Sequence, residues 1–398
     1  MKYYDFDCRV ITPLFLGGAE TRVRPELRSA SIRGAMRYWY RAILGGCTIS
    51  DQANVERLKQ CEADVFGTTE KGSAITVLVH TDQPLKTETF RKDRAVRTQE
   101  GNFLPTGKDY LLWSMAASGR PGTLRYQPDR EYIKTDTQFK IRLQSRIVQG
   151  DDALTKASAA LWLLSNLGGL GARANRGAGS FETELSEPIC ELIFKQYSTI
   201  SELKEGLSKG IRQCLRLICG KDSWQSFESM PGYDILAPGA AEVWIVSEPE
   251  QGWDTAQAAL NGIGEKLRDY RSCYNVSGIG KADHDDILRW LEGSEVTPGI
   301  RRAIFGLPIP FRYSESGLSD VIIPEQGNRR SSPLKIRITR LTTGKCVGVL
   351  TLFKSRFLET GKQLQLQTRK WKAPPPTDYK IIQNFIKTFK VSQEVSLQ

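Results

Sequence analysis

The strongest constraint on this chain is an order of periods. Residues 3–12 (YYDFDCRVIT) alternate as a strand, SIRGAMRYWYRAILGG at 31–46 has a helical period, and AITVLVH at 74–80 returns to a strand. The order then recurs. QFKIRLQSR at 138–146 reads as a strand, ALTKASAALWLLSNLGG at 153–169 as a strongly apolar helix, and GAGSFETEL at 177–185 as a closing strand. Two βαβ units in succession predict the ferredoxin-like, or RRM-like, arrangement. In the first helix Ser31 is the expected N-cap and Gly45 the stop, and Ile32, Met36, Trp39 and Ile43 share one face. A polar, basic insertion at 86–135 separates the two units, broken by Trp113 and a short apolar, helix-like piece at 110–117.

The second half carries weaker signals of the same class. Helical periods near 201–219 and 254–272 flank a strand at 241–247, and strands at 333–341 and 346–354 turn at Thr343-Gly344. A last helix at 378–390 follows the rigid Pro374-Pro375-Pro376, and residues 391–398 are expected to fray. The length of 398 residues suits two domains, each able to bury its own core. The expectation is therefore an α+β protein of two tandem ferredoxin-like (RRM-like) domains with a long insertion in the first. The first spans 1–190 with a Gly-rich loop at 168–180, and the second spans 191–398 with a basic segment at 301–372.

Composition excludes several classes. Hydrophobic residues at 40% and charged residues at 25% are ordinary for a globular protein. No apolar run approaches the roughly 18–20 residues that span a bilayer, and the start, MKYYDFDCRVITPLFLGG, lacks the apolar stretch of a signal peptide. No membrane partner and a cytoplasmic location are expected. The cysteines (Cys8, Cys47, Cys61, Cys190, Cys214, Cys219, Cys273, Cys346) form no C-x-x-C, and His80 and His284 are far apart. That spacing predicts no metal site and no cofactor. In a reducing cytosol these thiols are expected to be small buried hydrophobes without disulfides.

Charge points to a partner. The net charge is +11, and fifteen Lys and Arg against four acids between Arg301 and Lys372 give an excess equal to that of the whole chain. Six arginines, Arg22, Arg24, Arg28, Arg33, Arg37 and Arg41, stand against the single Glu26 in a second cluster. Such surfaces attract a polyanion, and an acidic protein neighbour is the alternative.

The segment LGGLGARANRGAGS at 167–180 is the most informative. Gly169, Gly171 and Gly177 leave backbone N–H groups free to approach phosphates, while Arg173 and Arg176 supply charge that a plain helix–strand connector does not need. Gly169-x-Gly171-x-x-Ala174 imitates a dinucleotide fingerprint, but it follows a helix and leads into a strand, the reverse of what that motif requires. On the helix at 31–46, Arg33, Arg37 and Arg41 recur at four-residue spacing as one stripe, beside Tyr38, Trp39 and Tyr40, which could stack bases or fill the core. Arg301, Arg302, Arg312, Arg329 and Arg330 flank short apolar strands and are placed at strand ends or loop tips.

T-P-L-F-L-G-G near the N-terminus, R-P-E-L-R before S-I-R-G-A-M-R-Y-W-Y-R-A, the loop G-G-L-G-A-R-A-N-R-G-A-G-S, and the late F-G-L-P-I and R-R-S-S-P-L together resemble the RAMP superfamily of CRISPR proteins. Among its members the chain is most similar to the first-numbered RAMP subunits of type III-B, or Cmr, effector complexes. The resemblance implies a subunit at one end of a helical backbone of related RAMP subunits, contacting the 3′ part of a guide RNA and its paired complementary target RNA. It implies RNA contacts at Arg33, Arg37, Arg41, the Gly168–Gly179 loop with Arg173 and Arg176, and Arg329 with Arg330.

Some relatives of this kind process guide precursors with a histidine, and others cut target RNA with an aspartate and a metal. Here His80 ends a strand and His284 sits in the acidic DHDD run. Asp151-Asp152 and Asp283-Asp285-Asp286 read as helix starts favoured by the macrodipole. No catalytic residue is assigned. The chain alone is therefore expected to leave guide precursor and target-paired RNA intact, with or without Mg²⁺ or Mn²⁺. Specific cleavage abolished by one His→Ala or Asp→Ala change would contradict this.

Overall fold

A computed structural model describes residues 2–47, 52–97, 103–146, 150–227, 229–272, 279–294, 299–313, 316–369 and 371–398. They form a mixed α+β fold. The first half runs β1 (Tyr3–Val10), α1 (Ser29–Leu44), α2 (Gln52–Phe66) and β2 (Ile75–His80). The insertion then contributes β3 (Thr87–Thr89), β4 (Val96–Arg97), β5 (Phe103–Leu104), α3 (Gly107–Leu112), a 3-10 turn at Trp113–Met115 and β6 (Glu131–Ile133). β7 (Gln138–Ser145), α4 (Asp151–Leu167) and β8 (Phe181–Glu184) complete it. The sheet order is β2-β7-β1-β8, with every neighbour antiparallel and Phe6 opposite Ile141 at its centre.

The second half runs α5 (Ile200–Cys219), β9 (Ala241–Ser247), α6 (Ala256–Arg271), α7 (Gly280–Leu291) and a 3-10 turn at Arg301–Phe305. It continues with β10 (Ile309–Arg312), β11 (Ser319–Pro324), β12 (Leu334–Arg340), β13 (Cys346–Phe353), β14 (Leu364–Leu366), β15 (Lys372–Ala373), α8 (Lys380–Ile386) and β16 (Val391–Val395). Its main sheet is β12-β13-β9-β16, again antiparallel throughout. A smaller sheet, β10-β11-β14-β15, lies beside it.

Burial explains the sequence periods. Ile32, Met36, Trp39 and Ile43 are all buried on α1, as their spacing requires. α4 is apolar on nearly every side because it is covered on nearly every side: it packs on β7 and β8, on α1 and on α5. Gly210 of α5 is what allows that last approach, since a Cβ there would lie 2.0 Å from the Trp162 ring.

Several expectations change at their edges. α1 begins at Ser29 with Arg28, not Ser31, at the N-cap, because Ser29 and Ala30 are compatible with the first turn and the Arg28 carbonyl already accepts from Ser31 and Ile32. Gly45 ends the helix in a right-handed conformation, and its neighbour Gly46 is needed for contact, with a Cβ there only 2.8 Å from Trp224. β8 starts at Phe181, later than its sequence period, because Gly177 and Gly179 take φ of +84° and +63° and curl the chain before it.

The expectation of no disulfide is corrected. Cys47 and Cys219, 172 residues apart, are joined where the ends of α1 and α5 meet, with Cα atoms 6.3 Å apart. Spacing in sequence carried no sign of it. Cys8, Cys214 and Cys346 are buried, Cys61 is half-buried and Cys190 is exposed, whereas Cys273 lies outside the described residues. Among the described residues no helix is long and apolar enough to cross a membrane.

The end of the chain is also corrected. Residues 391–395 do not fray but form β16 on the edge of β9, with Val395 and Leu397 buried and the Leu397 carbonyl accepting from the Trp224 indole N–H at 2.6 Å. Deleting residues 391–398 should therefore destabilise the protein by roughly 3–6 kcal/mol from those two side chains alone. Urea denaturation of the truncated chain measures this, and a loss below about 1 kcal/mol would contradict the packing described.

Candidate nucleic-acid interface

The glycine-rich loop between α4 and β8 is wedged between the two halves of the molecule. The Thr12 hydroxyl donates to the Gly177 carbonyl at 2.7 Å and accepts from the Ser180 N–H at 2.9 Å. Ala172 N–H donates to the Phe15 carbonyl and Gly179 N–H to that of Pro13, both at 2.9 Å. Gly171 has φ +80° and a Cβ there would meet the Phe15 carbonyl at 2.5 Å, while Gly177 is buried against Leu260. These glycines thus satisfy close packing inside the protein, and Gly171 alone of the three nominated is exposed, Gly169 being half-buried.

The two loop arginines point into a cluster. Arg176 donates from Nη2 to the Phe305 carbonyl at 2.8 Å, and its backbone bridges to Ile336, so it does serve a structural contact, one that no local sequence pattern signals. Arg173, itself at φ +62°, places its guanidinium 5.7 Å from the Trp113 ring centre. From the end of α6, Arg271 donates to the Tyr110 hydroxyl at 2.7 Å and lies 5.4 Å from the Phe305 ring. The charge of Arg329 also reaches Arg173.

Burial, followed by repulsion from Arg271 and Arg173, pushes Arg176 down to about 9. Burial likewise pushes Arg173 down to about 10, with Tyr110 opposing and Arg271 and Arg329 reinforcing the shift. Both stay cationic at neutral pH. Among the described residues no carboxylate is ion-paired with Arg173, Arg176, Arg271 or Arg329. Arg173 Nε, Arg176 Nη1 and Arg271 Nε are buried and have no hydrogen-bond partner among the described residues. Like charges gathered without a counter-charge are costly, and an anion would relieve that cost.

The remaining nominated arginines are dispersed. On α1, Arg37 and Arg41 both bind the buried Glu62 of α2, Arg41 at 2.7 Å, and only Arg33 of that stripe is exposed. Arg22 donates to the carbonyls of Ser114 and Ala116, while Arg24 and Arg28 are exposed. Arg301 and Arg302 converge on Asp283, which is fully buried in the first turn of α7 and accepts from both backbone N–H groups. Arg330 donates to Ser355 Oγ at 3.1 Å, and Arg329 beside it is exposed. The aromatic triplet of α1 belongs to the core: Trp39 and Tyr40 are buried, and the half-buried Tyr38 donates to Asp234 at 2.7 Å.

Arg271 and Tyr110 escaped sequence reasoning. Their partners come from an insertion whose path depends on α3 settling against α6. The signal was a pair of glycines: a Cβ on Gly264 would lie 2.0 Å from the Gly107 carbonyl. His80 pairs with Asp82, and His284 with Asp285 and the Tyr313 ring.

Comparison with known proteins shows the family. Residues 7–182 match the RAMP superfamily. The chain is 33% identical over 183 residues to the CRISPR system Cmr subunit Cmr1-2 of Pyrococcus furiosus, covering 45% of this chain and 94% of that protein. It is 28% identical over 357 residues to Cmr1-1 of the same organism, covering 89% and 88%. In fold it is similar to the crystal structure of Cmr1 from Pyrococcus furiosus in its apo form, with a TM-score of 0.60, 22% identity and 99% of each chain covered.

The buried Asp283 generates a direct expectation. Asp283→Ala strands two arginines and two backbone N–H groups, and should cost about 3–5 kcal/mol in urea denaturation, whereas Asp285→Ala on the exposed side of α7 should stay within about 0.5 kcal/mol. Equal effects would show that Asp283 is not the anchor of this turn.

Proposed function

The chain belongs to the RAMP superfamily of CRISPR proteins, and from that membership we propose that it is a non-catalytic RNA-binding subunit of a type III-B, or Cmr, effector complex in antiviral defence. In this reading its partners are the 3′ part of a guide RNA, the complementary target RNA and other RAMP subunits, and it works in the cytoplasm. One observation carries the reading: Arg173, Arg176, Arg271 and Arg329 gather around the glycine-rich loop with no carboxylate paired to them among the described residues. Neutralising phosphates is the chemistry such a cluster performs best.

We read the fold as two tandem ferredoxin-like domains, divided near residue 190. Support comes from the strand order, since each main sheet, with its own four strands counted in chain order, runs second, third, first, fourth. The helix α5, just beyond that boundary, packs on α1 and α4 and couples the halves. An endonuclease reading has less to stand on. The two histidines are engaged by Asp82 and Asp285, and Asp283 is held by Arg301 and Arg302.

Of the nominated RNA contacts, we retain Arg173 and Arg329 as phosphate ligands and Arg24, Arg28 and Arg33 as exposed charge able to extend the track. Base pairing would supply sequence specificity, while the protein reads backbone and shape. Arg173→Ala combined with Arg329→Ala should lower the magnitude of the salt slope of log K by about 1.5 and weaken unrelated sequences alike. A salt titration with two guides of equal length checks this. An unchanged slope, or a loss confined to one guide, would refute the assignment.

A further inference from the structure

Trp113 is a large side chain left 58% exposed, yet its position is firmly held. The 3-10 turn that carries it follows α3, which is seated on α6 through Gly107 and Gly264. On its other side Arg22 donates to the carbonyls of Ser114 and Ala116. The Arg173 guanidinium lies 5.7 Å from the indole centre, and Arg271 is anchored close by on the Tyr110 hydroxyl. Buried N–H groups of Arg173 and Arg271 lack partners among the described residues.

We propose that Trp113, backed by Arg173 and Arg271, is a subsite for one unpaired nucleotide of a bound RNA, with the base stacked on the indole and the adjoining phosphate held by the guanidinium groups. This rests on the RNA-binding reading above and deepens it. An aromatic face beside unneutralised guanidinium groups matches both parts of a nucleotide. An acidic peptide would use the arginines but has no need of the indole. A paired duplex would offer phosphates but no free base face. The insertion at 86–135 thereby acquires a role: it brings the stacking surface to a loop that has charge but no aromatic residue of its own.

The test uses the full chain and three probes: single-stranded RNA, a duplex of the same length, and inorganic polyphosphate. Trp113→Ala should weaken single-stranded RNA by about fivefold or more, while duplex and polyphosphate affinities change by less than about twofold. Trp113→Phe, which keeps a stacking ring, should recover most of the loss. Arg271→Ala should weaken all three probes. Melting temperatures of the variants are compared with wild type, and a loss that Trp113→Phe does not repair would overturn the stacking role. Unchanged binding of single-stranded RNA by Trp113→Ala, or an equal loss with polyphosphate, would overturn the subsite while leaving the RNA-binding reading intact. Failure of the wild-type chain to bind any RNA would overturn both.

Discussion

Arg337 holds the molecule's two halves in register. It projects from β12 in the second sheet, is almost fully buried, and donates to the carbonyls of Gly168 at 3.1 Å and Phe181 at 2.7 Å, the two ends of the glycine-rich loop. Burial pushes its guanidinium down to about 9, with Glu182 partly offsetting the shift, so it remains charged near neutral pH. Beside it Ile338 N–H donates to Ser180 Oγ at 3.1 Å, and Arg340 binds Glu182 at 2.7 Å and Asp136 at 2.6 Å. A buried charge met by neutral carbonyls is not an efficient source of stability, and its consequence is specificity of placement. With both ends of the loop tied to β12, Arg176 is brought to Phe305 and Arg173 to Trp113.

The same dependence explains how charge should be counted. The basic segment 301–372 carries an excess equal to the whole net charge, but much of it faces acids elsewhere in the fold. Arg301 and Arg302 meet Asp283, Lys335 meets Asp234, Arg340 meets Glu182, Lys345 meets Asp254 and Lys354 meets Glu242. Lys335 is the extreme case: burial outweighs the attraction of Asp234 and lowers its affinity for a proton. The cation cluster around the loop is smaller than the sequence count suggests and is drawn from three separated segments: the loop itself, the end of α6 and the stretch before β12.

Local periodicity was legible where one face is buried and the segment is long. α1, α4, α5, α6 and the strand β9 lie where their residues placed them, because Ile32, Met36 and Leu207 answer to a single nearby core. α2 has no counterpart in the sequence reading, because Leu58 and Phe66 are set among charged residues, whereas for α7 the acidic run at 283–286 marks the helix start but not its extent from Gly280 to Leu291. β16 was missed because VSQEV has only two apolar residues, and its pairing with β9 is long-range. For the site, the glycine-rich loop was conspicuous in sequence, whereas Arg271, Tyr110 and the internal pairing of Arg37 and Arg41 depend on contacts that no local pattern encodes.

In the proposed function, RNA lies across the loop and the insertion together. Ultraviolet cross-linking of the full chain to single-stranded RNA carrying a photoreactive base, with adducts mapped by mass spectrometry, tests it most directly. Adducts are expected in peptides covering residues 107–115 and 168–180, with none along the charged groove between α5 and residues 191–197. Adducts confined to that groove, with the loop and the Trp113 turn left unmodified, would contradict it.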